Sequence, residues 1–174
     1  MSAALPPIGD LAELYTIAYR IESDAVERYD QLAGQMEAHN NPELAKIFRD
    51  LARAEGIHAE EIRRMAGDID VTARARELAL WKNDESPETA DFAEAHYMMT
   101  PWHALQMALK GEQRALAFFD HVVQTTTDDT VRKMAAEFVD EENEHVDLVR
   151  RLLRRYREPS ESWAEDPDPA VGQE

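Results

Sequence analysis

Apolar residues return every three or four positions along four long stretches of this 174-residue chain, and nowhere does a period of two persist. Such spacing marks helices with one buried face, so the chain is predicted to be all-α. The first helix is read from about Asp10 to Met36, with Leu11, Leu14, Ala18, Ile21, Ala25, Tyr29 and Leu32 on its stripe. Asp10, followed three residues on by Glu13, predicts a capping box at its start. Asn41-Pro42 opens a second helix that runs to about Met65, before Gly67. Thr100-Pro101 opens a third, ending near Val123, and a fourth follows the polar turn at 125–129 and reaches about Arg157. Arg150, Arg151, Arg154 and Arg155 suit the negative end of that last helix.

Short turns near residues 39 and 127 force helices 1–2 and 3–4 into antiparallel hairpins. The connector 67–99 is far longer. A helix of about 24 residues spans about 36 Å, a distance that roughly 11 extended residues cover. The connector can therefore run back along the whole bundle and still hold short helices near Val71–Lys82 and after Ser86-Pro87. The expected architecture is a four-helix bundle of two antiparallel hairpins joined by one long crossover, within residues 1–157. An up-down bundle with a structureless loop is the alternative, and loops of that length are uncommon. The tail, 158–174, carries acidic residues and prolines but no basic residue, and is expected to be disordered.

Six residues interrupt the apolar stripes with metal-binding groups. Glu22 lies between Ala18 and Ala25 on the inner face of helix 1, and Glu112 between Ala108 and Ala115 on helix 3. Helix 2 carries Glu55-Gly-Ile-His58 and helix 4 carries Glu142-Asn-Glu-His145. Each pair presents both side chains on one face, and Leu51 and Phe138, one turn earlier, turn that face inward. In so acidic a chain a lone Glu-x-x-His is a weak signal; placement is what matters. Glu22 and Glu55 are equidistant from the first turn, and Glu112 and Glu142 from the second, so each pair is level along its hairpin. The segment Glu22 to Asp30 also parallels Glu112 to Asp120, as though the hairpins were copies about a pseudo-twofold axis. Four carboxylates and two imidazoles are thus expected to meet in the core.

Buried, unpaired carboxylates would cost several kcal/mol each. Salt bridging is the rival explanation, but the stripes offer no lysine or arginine at these levels; Lys110 and Arg114 flank Glu112 on rotated positions. Two metal cations would neutralise the cluster directly. Carboxylate and imidazole without thiolate suit iron, with manganese as the alternative, better than structural zinc. The other histidines are not expected to bind metal: His103 and His121 lie opposite Glu112, His39 in a turn and His96 in the connector. Glu27, Glu60, Glu61, Glu137, Glu141 and Glu144 are read as a solvated face, and Met36, Met65, Met107 and Met134 as core filler. Tyr29 shares the face of Glu22 and is read as a core aromatic, with a hydrogen-bonding or radical-relay role beside the metals as the second reading.

Composition narrows the partners. A net charge of −17, from 36 acidic and 19 basic residues, argues against nucleic acid and anionic membranes. The absence of cysteine excludes thiol nucleophiles and iron–sulfur clusters. Residues 1–10 lack the pattern of a secretory signal, and no apolar run reaches a membrane span, so a cytoplasmic location is expected.

These residues resemble the ferritin-like superfamily, whose bundles hold two metals by this donor pattern. More narrowly, Glu22-Ser-Asp-Ala-Val-Glu-Arg-Tyr29 and the two Glu-x-x-His helices are similar to the di-iron domain of rubrerythrins. The six-ligand set is also similar to bacterioferritin. The resemblance implies two irons, with Glu55 and Glu142 bridging, Glu22 and Glu112 terminal, and His58 and His145 on one iron each. It implies an oxidoreductase that reduces hydrogen peroxide or dioxygen, as a peroxidase or ferroxidase. Rubrerythrins carry a further glutamate where this chain has Ala115, and a cysteine-ligated rubredoxin domain that a chain without cysteine cannot form, so an external electron donor is expected. A homo-oligomer is expected, a dimer in preference to a cage. The rivals are iron storage or sequestration, a di-iron hydroxylase of a small organic substrate, and a metal-free interaction module.

Overall fold

The computed structural model describes residues 7–78 and 100–159. Five helices follow in order: α1 (Leu11–Ala38), α2 (Pro42–Met65), α3 (Val71–Glu77), α4 (Pro101–Thr125) and α5 (Asp129–Leu153). No strand occurs among the described residues. The caps fall where the sequence puts them. Asn41 accepts from the Leu44 N–H at 3.0 Å, with Pro42 opening α2, and Thr100 caps α4 ahead of Pro101. The α1–α2 turn closes because Asn40 adopts a left-handed backbone (φ 55°), which asparagine tolerates better than most residues.

Three local expectations are corrected. Asp10 caps α1 by accepting from the Glu13 N–H, but the Glu13 carboxylate accepts from Gly9 rather than closing the box on Asp10. The last helix stops at Leu153, not near Arg157. Met65 is exposed on the surface of α2, whereas Met36 is buried and Met107 and Met134 are half-buried, as filler should be. In the connector, α3 accounts for the first expected helical piece as far as Glu77. The remainder of that piece, the expected helix after Ser86-Pro87, His96 and the tail from residue 160 lie outside the described residues.

Two apolar clusters fix the topology. One joins Tyr29, Leu32 and Met36 of α1 to Leu44 and Phe48 of α2, Leu105 and Ala108 of α4, and Val146 and Val149 of α5. The other joins Leu14 and Ala18 of α1 to Ile62 of α2, Phe119 and Val122 of α4, and Val131 and Phe138 of α5. The end of α1 therefore packs with the start of α2, the start of α4 and the end of α5. So α2 and α4 run parallel, each antiparallel to its hairpin partner, as a long crossover requires. The N-terminal strap closes one end: Ile8 is buried, and the Thr126 hydroxyl at the end of α4 donates to its carbonyl at 3.0 Å. No described helix is long and apolar enough to cross a membrane.

Candidate metal centre

Between the two apolar clusters lies a polar layer. Each helix of the bundle contributes one acid to it because each stripe is interrupted at the same height. Glu22, Glu55, Glu112 and Glu142 are only 3, 2, 2 and 3 % exposed. Small or apolar neighbours on the same faces hold them there: Ala18 and Ala25, Ala108 and Ala115, Leu51, and Phe138, all buried. The imidazoles close the layer on its α2–α5 side, where the side chains of His58 and His145 are 28 and 16 % exposed. Their rings stack in parallel, centroids 5.1 Å apart.

Donor atoms of five of the six candidates fall into two overlapping groups; Glu22 belongs to neither and faces Glu55, Glu142 and His145 instead. Glu55, His58 and His145 form one, and Glu112, Glu142 and His145 the other, each with its ligand atoms within 4.8 Å of one another. His145 Nδ1 lies 3.6, 3.5 and 3.6 Å from oxygens of Glu55, Glu112 and Glu142. These distances are too long for good hydrogen bonds, and they surround a shared centre. His58 Nδ1 lies 3.3 Å from Glu55 Oε2, yet neither atom has a hydrogen-bond partner, and Glu142 Oε2 lacks one as well. Buried polar atoms are ordinarily satisfied. Three orphaned acceptor or ligand atoms pointing into one acidic layer fit a bound cation.

The electrostatics agree. Burial first, then the charges of Glu55 and Glu142, push the Glu22 pKa well above the carboxylate range. Burial also raises Glu142, to about 7, with Glu112 and Glu55 adding to the shift against the nearness of His145. For His145 burial acts downward, but Glu112, Glu142 and Glu55 outweigh it and raise the imidazole to about 11. Without metal the layer therefore holds protons where cations would otherwise sit.

One acid is treated differently, and the sequence reading missed why. Arg28 is buried, and its Nη2 donates to Glu112 Oε1 at 3.0 Å. The expectation of no lysine or arginine at this level is thus wrong for Glu112. Arg28 lies about 120° round α1 from the Glu22 stripe, so periodicity excluded it, but its long side chain reaches inward across α4. It can do so because residue 111 is glycine: a Cβ there would sit 2.3 Å from Arg28 Nη1. A glycine inside a helix, next to a candidate ligand, was the available signal. Tyr29 also donates its hydroxyl to Glu112 Oε1, which supports its hydrogen-bonding reading alongside its place in the core. Burial pushes Glu112 up in pKa, but His145, Arg28 and Tyr29 together bring it below its ordinary value.

The remaining expectations are mixed. Glu27, Glu61, Glu137 and Glu144 are exposed as expected. Glu60 forms surface ion pairs with Arg63 and Arg64. Glu141 feels the two histidines although its residue is exposed. His39 ends α1 in the turn. His103 completes a capping box with Thr100.

The parallel and antiparallel order of the helices, with carboxylates from all four, defines a ferritin-like bundle with a carboxylate and imidazole centre. A family model for rubrerythrin matches residues 13–153, and the chain belongs to the rubrerythrin family. A crystal structure of a conserved, uncharacterised protein from Magnetospirillum magnetotacticum is similar at 33% identity, covering 87% of this chain and 98% of that one, with a TM-score of 0.68. A Thermotoga maritima structure described as ferritin-like and diiron-carboxylate shares the fold at 20% identity and a TM-score of 0.58, covering 86% of this chain and 98% of that one. No curated protein matches the chain.

Proposed function

We propose that the protein is a non-haem di-iron oxidoreductase that reduces hydrogen peroxide or dioxygen, as a rubrerythrin-like peroxidase or ferroxidase. The observation that carries this reading is the convergence of four buried carboxylates and two imidazoles. Among the buried described residues, only one cationic side chain, Arg28, meets them.

In this reading two metals would be held by Glu22, Glu55, His58, Glu112, Glu142 and His145, with Glu55 and Glu142 the ligands common to both, Glu22 and Glu112 the terminal ones and one histidine for each metal. When bound, the irons supply one electron each to the oxidant; hydrogen peroxide takes two electrons and two protons to give two waters. The chain's own contributions are readable from the site. The carboxylates neutralise the cations and exchange proton charge for metal charge as they load. The partly exposed histidines, 28 and 16 % for His58 and His145, support an approach for a small oxidant from the α2–α5 side. Buried Tyr29 keeps its proton, since burial and the Glu112 charge push its pKa well up. It therefore remains a hydrogen-bond donor to Glu112. Electrons come from an external donor, because the chain has no cysteine for a thiolate-bound relay. Manganese is the alternative metal that this donor set admits.

We also assign a homo-oligomer, with a dimer preferred; Ile57 and Met65, both exposed on α2, support self-association. Light scattering separates this from storage, since a 24-subunit shell would favour the latter. Metal analysis of protein made in iron-replete cells tests the main reading. About two irons per chain are expected, with peroxide consumed by the reduced protein. Glu55→Ala should lose both the metal and the consumption. Full retention of both by this variant would overturn the assignment.

A further inference from the structure

The two halves of the centre are copies in sequence but not in charge. Ninety positions relate Glu22 to Glu112, and the same step relates Arg28 and Tyr29 to Phe118 and Phe119, and Ile21 to Gly111. Glu112 therefore receives a buried guanidinium and a phenol on Oε1, across a glycine that makes room for them. The equivalent positions facing the other half carry two phenyl rings with no polar atom, and Phe119 is committed to an aromatic contact with Phe138 at 5.0 Å. The strongest charged neighbours of Glu22 are Glu55, Glu142 and His145, without an arginine. With every ligand deprotonated, as metal binding requires, Glu112 and its Arg28 together contribute no net charge, whereas Glu22, which shares Glu55 with His58, contributes one negative charge. Glu112 is further restricted to Oε2, since Oε1 is engaged.

Resting on the two-metal reading, we propose that Arg28 is a positioning residue that makes the metal positions inequivalent. The position at Glu22 and His58 fills first and tightly. The position at Glu112 and His145 fills second and weakly, and is the one that exchanges. A positive charge beside a divalent cation in a buried layer opposes its binding, and water does not screen it there.

Co(II) serves as the probe, added to the metal-free full chain and followed by calorimetry. Two Co(II) per chain are expected, and a crystal loaded with one equivalent should show anomalous density beside His58. Arg28→Gln should tighten the second step by about tenfold or more, leaving the first within about threefold. Arg28→Lys, which keeps the charge, should stay within about threefold of wild type at both steps. If Arg28→Gln does not fold by circular dichroism, the one-equivalent crystal of the wild type still decides. Density beside Glu112, or equal density at both positions, overturns the inference. So does a second step that Arg28→Gln leaves unchanged or weakens. Fewer than two Co(II) per wild-type chain overturns the two-metal reading as well, whereas two bound with the wrong order or response overturns this inference alone.

Discussion

At the scale of single residues, the informative position is Gly111. Alanine is favoured over glycine inside a helix by about 1 kcal/mol, so an isolated view of α4 recommends Gly111→Ala. With Arg28 occupying that space, the substitution is expected to destabilise the metal-free protein by about 1–3 kcal/mol, read as a lower midpoint in urea. Tyr29→Phe keeps the stacking on Phe48 but removes a donor to a buried carboxylate, a loss of about 1.5–3 kcal/mol; thermal unfolding of the metal-free variant checks it. The six candidate ligands were legible because each interrupts an apolar run at fixed phase. Arg28 was not, since phase locates a Cα and says nothing of where the long side chain beyond it ends. Met65 failed because it lies off the buried stripe of α2, which runs through Ala59 and Ile62 to buried Ala66.

Among the elements, the turns carried most of the legible information. Asn41-Pro42 and Thr100-Pro101 are capping signals with a fixed geometric meaning, and both start helices as read. Asn41→Ala should cost about 1 kcal/mol, measured by denaturant unfolding, with metal stoichiometry unchanged because the turn is remote from the acids. The end of α5 was misplaced because arginines suit both a last helical turn and the solvent beyond it. Chain stiffness alone cannot separate those cases. The parallel course of α2 and α4 was foreseeable from connector length, and the mixed membership of the two apolar clusters shows it directly.

For the molecule as a whole, stability and metal loading are linked through protons. Glu142, with a folded-state pKa of about 7, is unfavourable once ionised, so it removes stability as pH rises from the ordinary carboxylate range toward 7. His145, raised to about 11, contributes stability fully below its ordinary pKa of about 6.5, and loses it as pH rises toward 11. Both act in one direction, so the metal-free protein is expected to melt at progressively lower temperature between about pH 5 and pH 9. Glu112 acts oppositely, but only in the acid range below about 4.5. Saturating metal should flatten the trend and raise the melting temperature; at 100 times its dissociation constant one bound ion contributes about 2.7 kcal/mol. Scanning calorimetry with and without Co(II) across that pH range checks both effects.

The same acidic layer also divides the hydrophobic interior into two slabs that meet at no apolar contact of their own size. In an empty protein that waist is held by protonated acids and the charged His145 rather than by apolar packing. The amides flanking Glu55 and Glu142 should then exchange with deuterium sooner than those buried in either slab, and the cations that displace those protons enter through the same breathing.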